Sequence, residues 1–213
     1  MDRLVISGVV LKKEVKEKVT EMVVAGKNGR FFRARLKALG SMQERMETVE
    51  EGKAYLFYGG LLARKTQEGK ETFELGVTRA IPLAHPVSEN AQGPYLDGAI
   101  NQVELQGYLG GDAQVKYIPI QGEDEEDVVS ITLFRVAVRK GEERTAWVQV
   151  KAWGLDEGIA DLLRKGTPVY VQGEYRLEKW EKDGQTVYSP SIIAKRVVVG
   201  ARREKDLPSD LPF

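Results

Sequence analysis

Two pairs of segments in this chain repeat one another, and this repeat constrains the fold more than any other feature. The matching pairs are DRLVISGVVL (2–11) with NQVELQGYLG (101–110), and GKAYLFYGGLLARK (52–65) with GTPVYVQGEYRLEK (166–179). Gly40 and Gly52 match Gly154 and Gly166 at a constant offset of 114 residues. Because internal similarity of this kind marks repeated structural units, the sequence predicts two copies of one small domain.

Composition divides the chain into four parts. We predict a first, divergent unit at residues 1–84 and a second unit at 100–200. Residues 85–99 between them are rich in Pro, Gly and polar residues, which is typical of a linker. Residues 201–213 are predicted to form a flexible C-terminal tail.

Both copies predict the same order of elements: three strands, a short helix and two strands. The predicted strands are rich in β-branched and aromatic residues. The predicted helices are LDEGIADLLRKG (155–166) and, in the first copy, SMQERMETVEEG (41–52). Asn28-Gly29 and Asp183-Gly184 predict tight hairpin turns. This order is typical of the OB-fold, a five-stranded Greek-key barrel. We therefore predict an all-β protein with two OB-folds in tandem; a small SH3-like barrel is the alternative.

Charge and apolar content exclude several classes of protein. The net charge of the chain is zero, but residues 1–92 carry a net +4 and residues 93–213 a net −4, so a basic groove is compatible with the composition. The chain has no cysteine, which suits a reducing cytoplasm. The N-terminus lacks the pattern of a signal peptide, and no apolar run reaches the roughly 20 residues that span a bilayer.

The strand WVQVKAW (147–153) alternates small apolar side chains with larger aromatic or polar ones. A period of two places Val148, Val150 and Ala152 on the inner face of the barrel. The outward side chains are then Trp147, Gln149, Lys151 and Trp153. Aromatic rings beside cations suit a single nucleic-acid strand, because bases stack on the rings and cations meet the phosphates. This face is our first candidate for nucleic-acid binding.

The last hairpin of the second copy adds a third tryptophan. Trp180 lies close to the tip of this hairpin, in YRLEKWEKDG, with Arg176 and Lys179 nearby in sequence. We predict that these three side chains extend the binding face. The alternative is that the tryptophans pack in a core or in a subunit interface.

The matching strand of the first copy, RARLKAL (33–39), carries a cationic outward face. Arg33, Arg35 and Lys37 take the outward positions, and the first copy contains no tryptophan. We predict that the first barrel contacts phosphates through these cations while the second supplies stacking. A solvated charged strand face is the alternative.

The sequence offers no complete catalytic, metal or cofactor site. His85 is the single histidine, and it has no evident partner for general-base chemistry. The glycine-rich segments lack the Lys-Ser/Thr of a phosphate loop. A contiguous acidic run at 123–127 is more typical of a solvated loop than of a cation site. We therefore predict a protein that is not an enzyme and needs no metal or cofactor.

Three motifs of the second copy occur together with a distinctive end of the chain. They are N-x-V-x-L-x-G-x-L-G-x-D followed by Y-x-P, then L-R-K-G-x-x-V-Y-V-x-G, then R-x-x-K-W before an Asp-Gly turn. With the terminal DLPF, this combination resembles the bacterial single-stranded DNA-binding protein family. The resemblance covers residues 100–200 and the last four positions, whereas the first half is similar in architecture alone.

The resemblance implies a protein that coats single-stranded DNA during replication, recombination and repair, in the cytoplasm at the nucleoid. It implies base stacking at Trp147, Trp153 and Trp180. A further tryptophan of the family would fall near Arg139, where this chain has none. Family members with two barrels per chain resemble dimers that display four barrels, so we expect a homodimer.

The SDLPF terminus is similar to the acidic, apolar tip of that family, which docks on replication and repair enzymes. The docking residues implied by the resemblance are Asp210, Leu211, Pro212 and Phe213. The aromatic ring would fill an apolar pocket of the partner, while Asp210 and the α-carboxylate meet basic groups. The segment before this tip is shorter and less acidic than is usual in the family.

Two other functions also fit the sequence. The chain could be a replication-restart or recombination accessory protein whose first barrel binds another protein. It could also be an RNA-binding or anticodon-binding module, since OB-folds occur there too. Fold alone does not separate these hypotheses.

Overall fold

The described part of the chain forms thirteen strands, one short α-helix and two short 3₁₀ turns. The computed structural model describes residues 1–66, 68–119, 128–142, 144–182 and 185–201, with Trp180, Lys182 and Gln185 described by their backbone alone. Four sequence predictions lie outside the described residues: the acidic run 123–127, the Asp183-Gly184 turn, the side chain of Trp180 and the tip at 210–213.

The first barrel closes through five strands in the order β1-β2-β3-β5-β4-β1. These strands are β1 (Asp2–Val15), β2 (Val19–Asn28), β3 (Arg30–Leu39), β4 (Ala54–Lys65) and β5 (Glu71–Pro82). Strands β3 and β5 pair in parallel, and this pairing closes the barrel. The order and pairing are those of the OB-fold, as the sequence predicted.

The second barrel repeats this order with one extra strand. Its elements are β8 (Asn101–Leu109), β9 (Gln114–Pro119), β10 (Val128–Arg139), β11 (Thr145–Trp153), α1 (Glu157–Leu162), β12 (Pro168–Lys182) and β13 (Gln185–Val199). Strands β8, β10, β11, β13 and β12 close the barrel, again through a parallel pair, β11 with β13. The extra strand β9 pairs with β10 at the edge of the sheet.

Matching glycines bend the two barrels in the same way. A Cβ atom on Gly59 would overlap the backbone oxygen of Gly76, and one on Gly173 would overlap that of Ile193. Gly59 and Gly173 both lie at a register shift in the strand that follows the helix position. The repeat seen in the sequence is therefore also a repeat of backbone bulges, which strengthen the local twist.

Strands β1 and β8 pair antiparallel and join the two barrels into one continuous sheet. The facing residues are Leu4 with Val103 at the centre, Asp2 with Leu105, and Ile6 with Asn101. In the repeat, position 2 matches 101 and position 6 matches 105, so exchanging the barrels reproduces the same pairs. The junction therefore has an internal two-fold symmetry.

The first residue of each of these strands satisfies a backbone group beside the bulge of its own barrel. The amide of Asn101 accepts from Tyr175 N and donates to Tyr175 O, both at 2.9 Å. The carboxylate of Asp2 accepts from Leu61 N at 2.5 Å. Its other oxygen lies 2.6 Å from the Nζ atom of Lys140, in the second barrel, so this pair also links the barrels.

Asp2→Asn is expected to lower the free energy of unfolding by about 1 kcal/mol. Asparagine keeps the acceptor for Leu61 N, as Asn101 shows in the second barrel, but removes the attraction to Lys140. Urea denaturation at low and high salt measures the difference, which should shrink as salt screens the pair. Glu50→Gln, which breaks an exposed pair with Lys53, is the control with almost no effect. An Asp2→Asn protein as stable as the wild type at low salt would contradict this role.

The helix position differs between the barrels. In the second barrel, α1 begins after Asp156, whose carboxylate accepts from Ile159 N at 3.2 Å. In the first barrel, two 3₁₀ turns, Gly40–Met42 and Glu44–Met46, stand there instead, so the helix predicted at 41–52 is wrong. These turns have no side-chain cap, and of their residues only Met46 is buried. A longer helix would have little apolar surface to hold it.

The segment predicted as a linker is packed against the first barrel. It contains β6 (Ser88–Asn90) and β7 (Gly93–Asp97), and β7 pairs in parallel with β2. Leu96 and Ala99 are buried in the core of this barrel. Burial removes the apolar surface of these two side chains from water, which favours packing of the segment on the barrel.

Within the described ranges, no helix is long and apolar enough to cross a membrane. The same residues contain no group of three or more His, Asp or Glu side chains placed to hold a metal ion.

Candidate nucleic-acid interface

A cleft of about 1560 Å³ lies between the two barrels; we call it the interbarrel cleft. Its walls come from β3 and the β4–β5 hairpin of the first barrel, and from β11 and the β12–β13 hairpin of the second. Contacts cross between the walls. Arg135 Nη2 donates to the backbone oxygen of Glu71 at 2.9 Å, and the Arg35 guanidinium lies 5.3 Å from the ring centroid of Tyr188. Two distant parts of the sequence thus build one surface.

Two aromatic rings, one from each barrel, meet at the floor of the interbarrel cleft. Phe73 and Tyr175 are almost fully buried, and their rings pack edge to face with centroids 6.3 Å apart. Burial raises the pKa of the Tyr175 hydroxyl far above its ordinary value, so the group stays neutral. These rings fix the relative position of the two walls.

Trp147 lies in the wall that the second barrel contributes. Its neighbours Val148 and Val150 are buried while Trp147 is half-buried, so the predicted alternation of β11 is confirmed. A Cβ atom on Gly110 would overlap the Trp147 ring, so the ring lies against a position that only glycine leaves open. The Arg135 guanidinium lies 5.1 Å from the ring centroid, within the range of a cation–π interaction.

Glu74 holds two cations in the wall that the first barrel contributes. Its carboxylate lies 3.0 Å from Lys37 Nζ and 2.8 Å from Arg64 Nη1. Lys37 also lies 3.1 Å from Glu21. Hydrogen bonds from Lys16 and then Lys37 hold the pKa of Glu21 below its ordinary value in spite of desolvation. Lys37 and Arg64 are therefore already paired with carboxylates.

The second barrel shows the same pairing, since Lys151 Nζ lies 2.6 Å from a carboxylate oxygen of Glu178. Among the described residues that line the cleft, cationic side chains outnumber acidic ones by eight to six. The cleft is thus mildly positive, and an incoming anion would compete with glutamates for its cations.

The structure brings half of the ten predicted binding residues together. Those that line the interbarrel cleft are Arg35, Lys37, Trp147, Gln149 and Lys151. Four others are not among the residues that line it: Arg33, Trp153, Arg176 and Lys179. Arg33 donates to the backbone oxygen of Gln92 at 2.5 Å, and Arg176 lies 3.6 Å from Glu174. Trp153 is 49% exposed at the end of β11.

Sequence reasoning missed several residues of the cleft: Arg64, Glu74, Arg135, Glu178 and Tyr188. Arg135 could have been found from strand pairing, because it lies opposite Gln149. Tyr188 lies opposite Lys179 in the last hairpin, so alternation along that hairpin also pointed to it. No local pattern indicates Glu74, whose partners depend on how β3, β4 and β5 meet.

Two solved structures share the fold over almost the entire chain. One is the wild-type single-stranded DNA-binding protein from Thermus aquaticus, which matches 100% of this chain and 98% of its own with a TM-score of 0.70. The other is a deletion mutant of that protein, matching 99% and 98% with the same TM-score. Sequence identity is 21% in both, so these matches show the arrangement of two OB-folds and no more.

Curated relatives match about half of the chain. The single-stranded DNA-binding proteins of Xylella fastidiosa and Xanthomonas campestris are 37% and 36% identical to this chain over 113 residues, which is 49% of this chain. The chain spans 66% and 63% of the length of these two relatives. The model of the single-strand binding protein family matches residues 100–199, which span the second barrel. The second barrel therefore matches the single-strand binding protein family.

Proposed function

We propose that this protein binds single-stranded DNA in the interbarrel cleft, without strong sequence preference and without catalysis. The observation that carries the proposal is the placement of Trp147 and Lys151 from one barrel opposite Arg35 and Lys37 from the other. A stacking surface thus faces a cationic one. The match of the second barrel to the single-strand binding protein family supports the same function.

The form of the cleft favours a single strand over a duplex. Trp147 lies half-buried in a wall of the cleft. A base of double-stranded DNA would have to turn out of the double helix to stack on its ring. Bases of a single strand are free to do so, whereas those of a duplex are already paired and stacked. Rings and ammonium groups read no base edges, so binding by these groups tolerates any sequence.

Tryptophan fluorescence during titration with oligo-dT tests the proposal. All three tryptophans lie in the second barrel, so quenching reports on that barrel, and Trp147 is the one that lines the cleft. We expect quenching by oligo-dT that weakens as salt rises, and little quenching by duplex DNA. Preferential binding of matching RNA would instead favour an RNA-binding module. Absence of quenching by oligo-dT, by duplex DNA and by RNA would contradict the proposal.

Further parts of the proposal rest on the family resemblance. We place the protein in the cytoplasm at the nucleoid, protecting single strands during replication, recombination and repair. Its terminal Asp210, Leu211, Pro212 and Phe213, which lie outside the described residues, are proposed to recruit partner enzymes. A homodimer with four barrels is also proposed. The partly exposed Tyr170 and Val198 on the outer side of the β12–β13 pair would suit such a contact.

Glu74→Gln is expected to strengthen binding of oligo-dT by about 1 kcal/mol at low salt. Glutamine keeps the size of the side chain but releases Lys37 and Arg64 from a competing carboxylate. More cations then become available to displace counterions, so the logarithm of the affinity should fall more steeply with the logarithm of the salt concentration. Fluorescence titrations over a salt series measure both effects.

Glu50→Gln is the matched control for this gain of affinity. It removes the same charge from an exposed pair with Lys53, at 2.7 Å, outside the residues that line the cleft. Its affinity should equal that of the wild type. If Glu74→Gln binds no more tightly than Glu50→Gln, the carboxylate does not compete with phosphate.

A further inference from the structure

Tyr188 lies in the wall of the interbarrel cleft, on the strand β13. Its side chain is 48% exposed, and the guanidinium of Arg35 lies 5.3 Å from its ring centroid. This distance is within the range of a cation–π interaction. The ring belongs to the second barrel and the arginine to the first, so both barrels determine where the ring lies.

Packing alone does not account for this tyrosine. Tyr175, at the floor of the same cleft, is 3% exposed and serves as a core residue. Tyr188 instead leaves about half of its surface open inside a concave site that is lined by cations. An open aromatic surface in such a site is suited to a flat ligand.

The register of the last hairpin places another cation beside the ring. Lys179 lies directly opposite Tyr188, and facing residues of antiparallel strands project from the same side of the sheet. Lys179 is exposed. A nucleotide whose base lies on the ring would therefore have a cation near its phosphate.

We propose that Tyr188 and Arg35 form a base-stacking subsite that the two barrels build together. Tyr188 supplies the ring, Arg35 acts as the positioning residue, and Lys179 meets the adjoining phosphate. The subsite rests on the proposed function, binding of single-stranded DNA in the cleft. It gives the first barrel a part in base contact as well as in phosphate contact.

Fluorescence anisotropy of a labelled oligo-dT tests the subsite. Tyr188→Ala is expected to raise Kd about fivefold or more, because a stacked base is lost. Tyr188→Phe keeps the ring and should bind like the wild type. Tyr117→Ala is the matched control: Tyr117 is a 62% exposed tyrosine of β9 outside the residues that line the cleft, and its loss should leave Kd unchanged.

A double-mutant cycle tests the role of Arg35. If Arg35 acts through the ring, Arg35→Ala should weaken binding less in the Tyr188→Ala protein than in the wild type. Fully additive losses would overturn the shared subsite. An unchanged Kd for Tyr188→Ala, together with a lower melting temperature, would show that the ring only braces the two barrels and would also overturn it. Failure of the wild type to bind oligo-dT is a separate outcome, which rejects the proposed function itself.

Discussion

Replacing Phe73 by alanine is expected to lower the free energy of unfolding by about 3–5 kcal/mol. The side chain is 1% exposed, and its ring packs edge to face on Tyr175 of the other barrel. Alanine would leave a cavity at the point where the two barrels meet, and the rigid strands around it can collapse only in part. Urea denaturation followed by circular dichroism measures the loss.

Phe73→Leu is the matched control, because leucine fills most of the volume. It should cost about 1 kcal/mol. The difference between the two variants then reports the cavity rather than the loss of an aromatic contact. A Phe73→Ala protein that unfolds at the wild-type urea concentration would contradict the packing of the two rings.

Trp147→Ala is expected to weaken binding of oligo-dT by about 1–3 kcal/mol. This is the range typical of base stacking in OB-folds that bind single strands, a class that includes the single-strand binding protein family. Alanine removes the ring and leaves Arg135 without its aromatic partner. Anisotropy of a labelled oligo-dT is the suitable measurement, since the variant also loses part of the tryptophan signal.

Trp147→Phe should keep part of the stacking surface and lose less affinity than Trp147→Ala. The melting temperatures of both variants must be compared with that of the wild type, because the ring also lies against Gly110. If Trp147→Ala is folded and binds with unchanged affinity, the ring is a packing residue and the interbarrel cleft is not the site of stacking.

The barrels themselves were predictable from sequence because their determinants are local. Alternation along β11 assigned Val148 and Val150 to the core, and both are buried. The offset that relates Gly52 to Gly166 also relates the bulges at Gly59 and Gly173. The helix at 41–52 was wrong because helix formation there depended on a cap and on burial, which the residue pattern alone did not reveal.

The interbarrel cleft was not predictable in the same way. Its shape depends on the pairing of β1 with β8, which sets the angle between the barrels. Arg35 and Tyr188 are 153 positions apart in the numbering, and no short motif connects them. Ion pairs such as Glu74 with Arg64 likewise form only once the strands have met. Sequence patterns therefore indicated which side chains face outward, but not which of them face one another.

The two-fold junction between β1 and β8 lies within a single polypeptide, and this has a consequence for how the molecule can specialise. The covalent connection gives the two halves a high effective concentration, so their pairing resists dilution. In a symmetric pair of identical chains, every substitution appears twice. Here it appears once, so one half can keep a tryptophan where the other keeps an arginine. The interbarrel cleft consequently has two unlike walls, so the two directions in which a strand can lie along it are not equivalent.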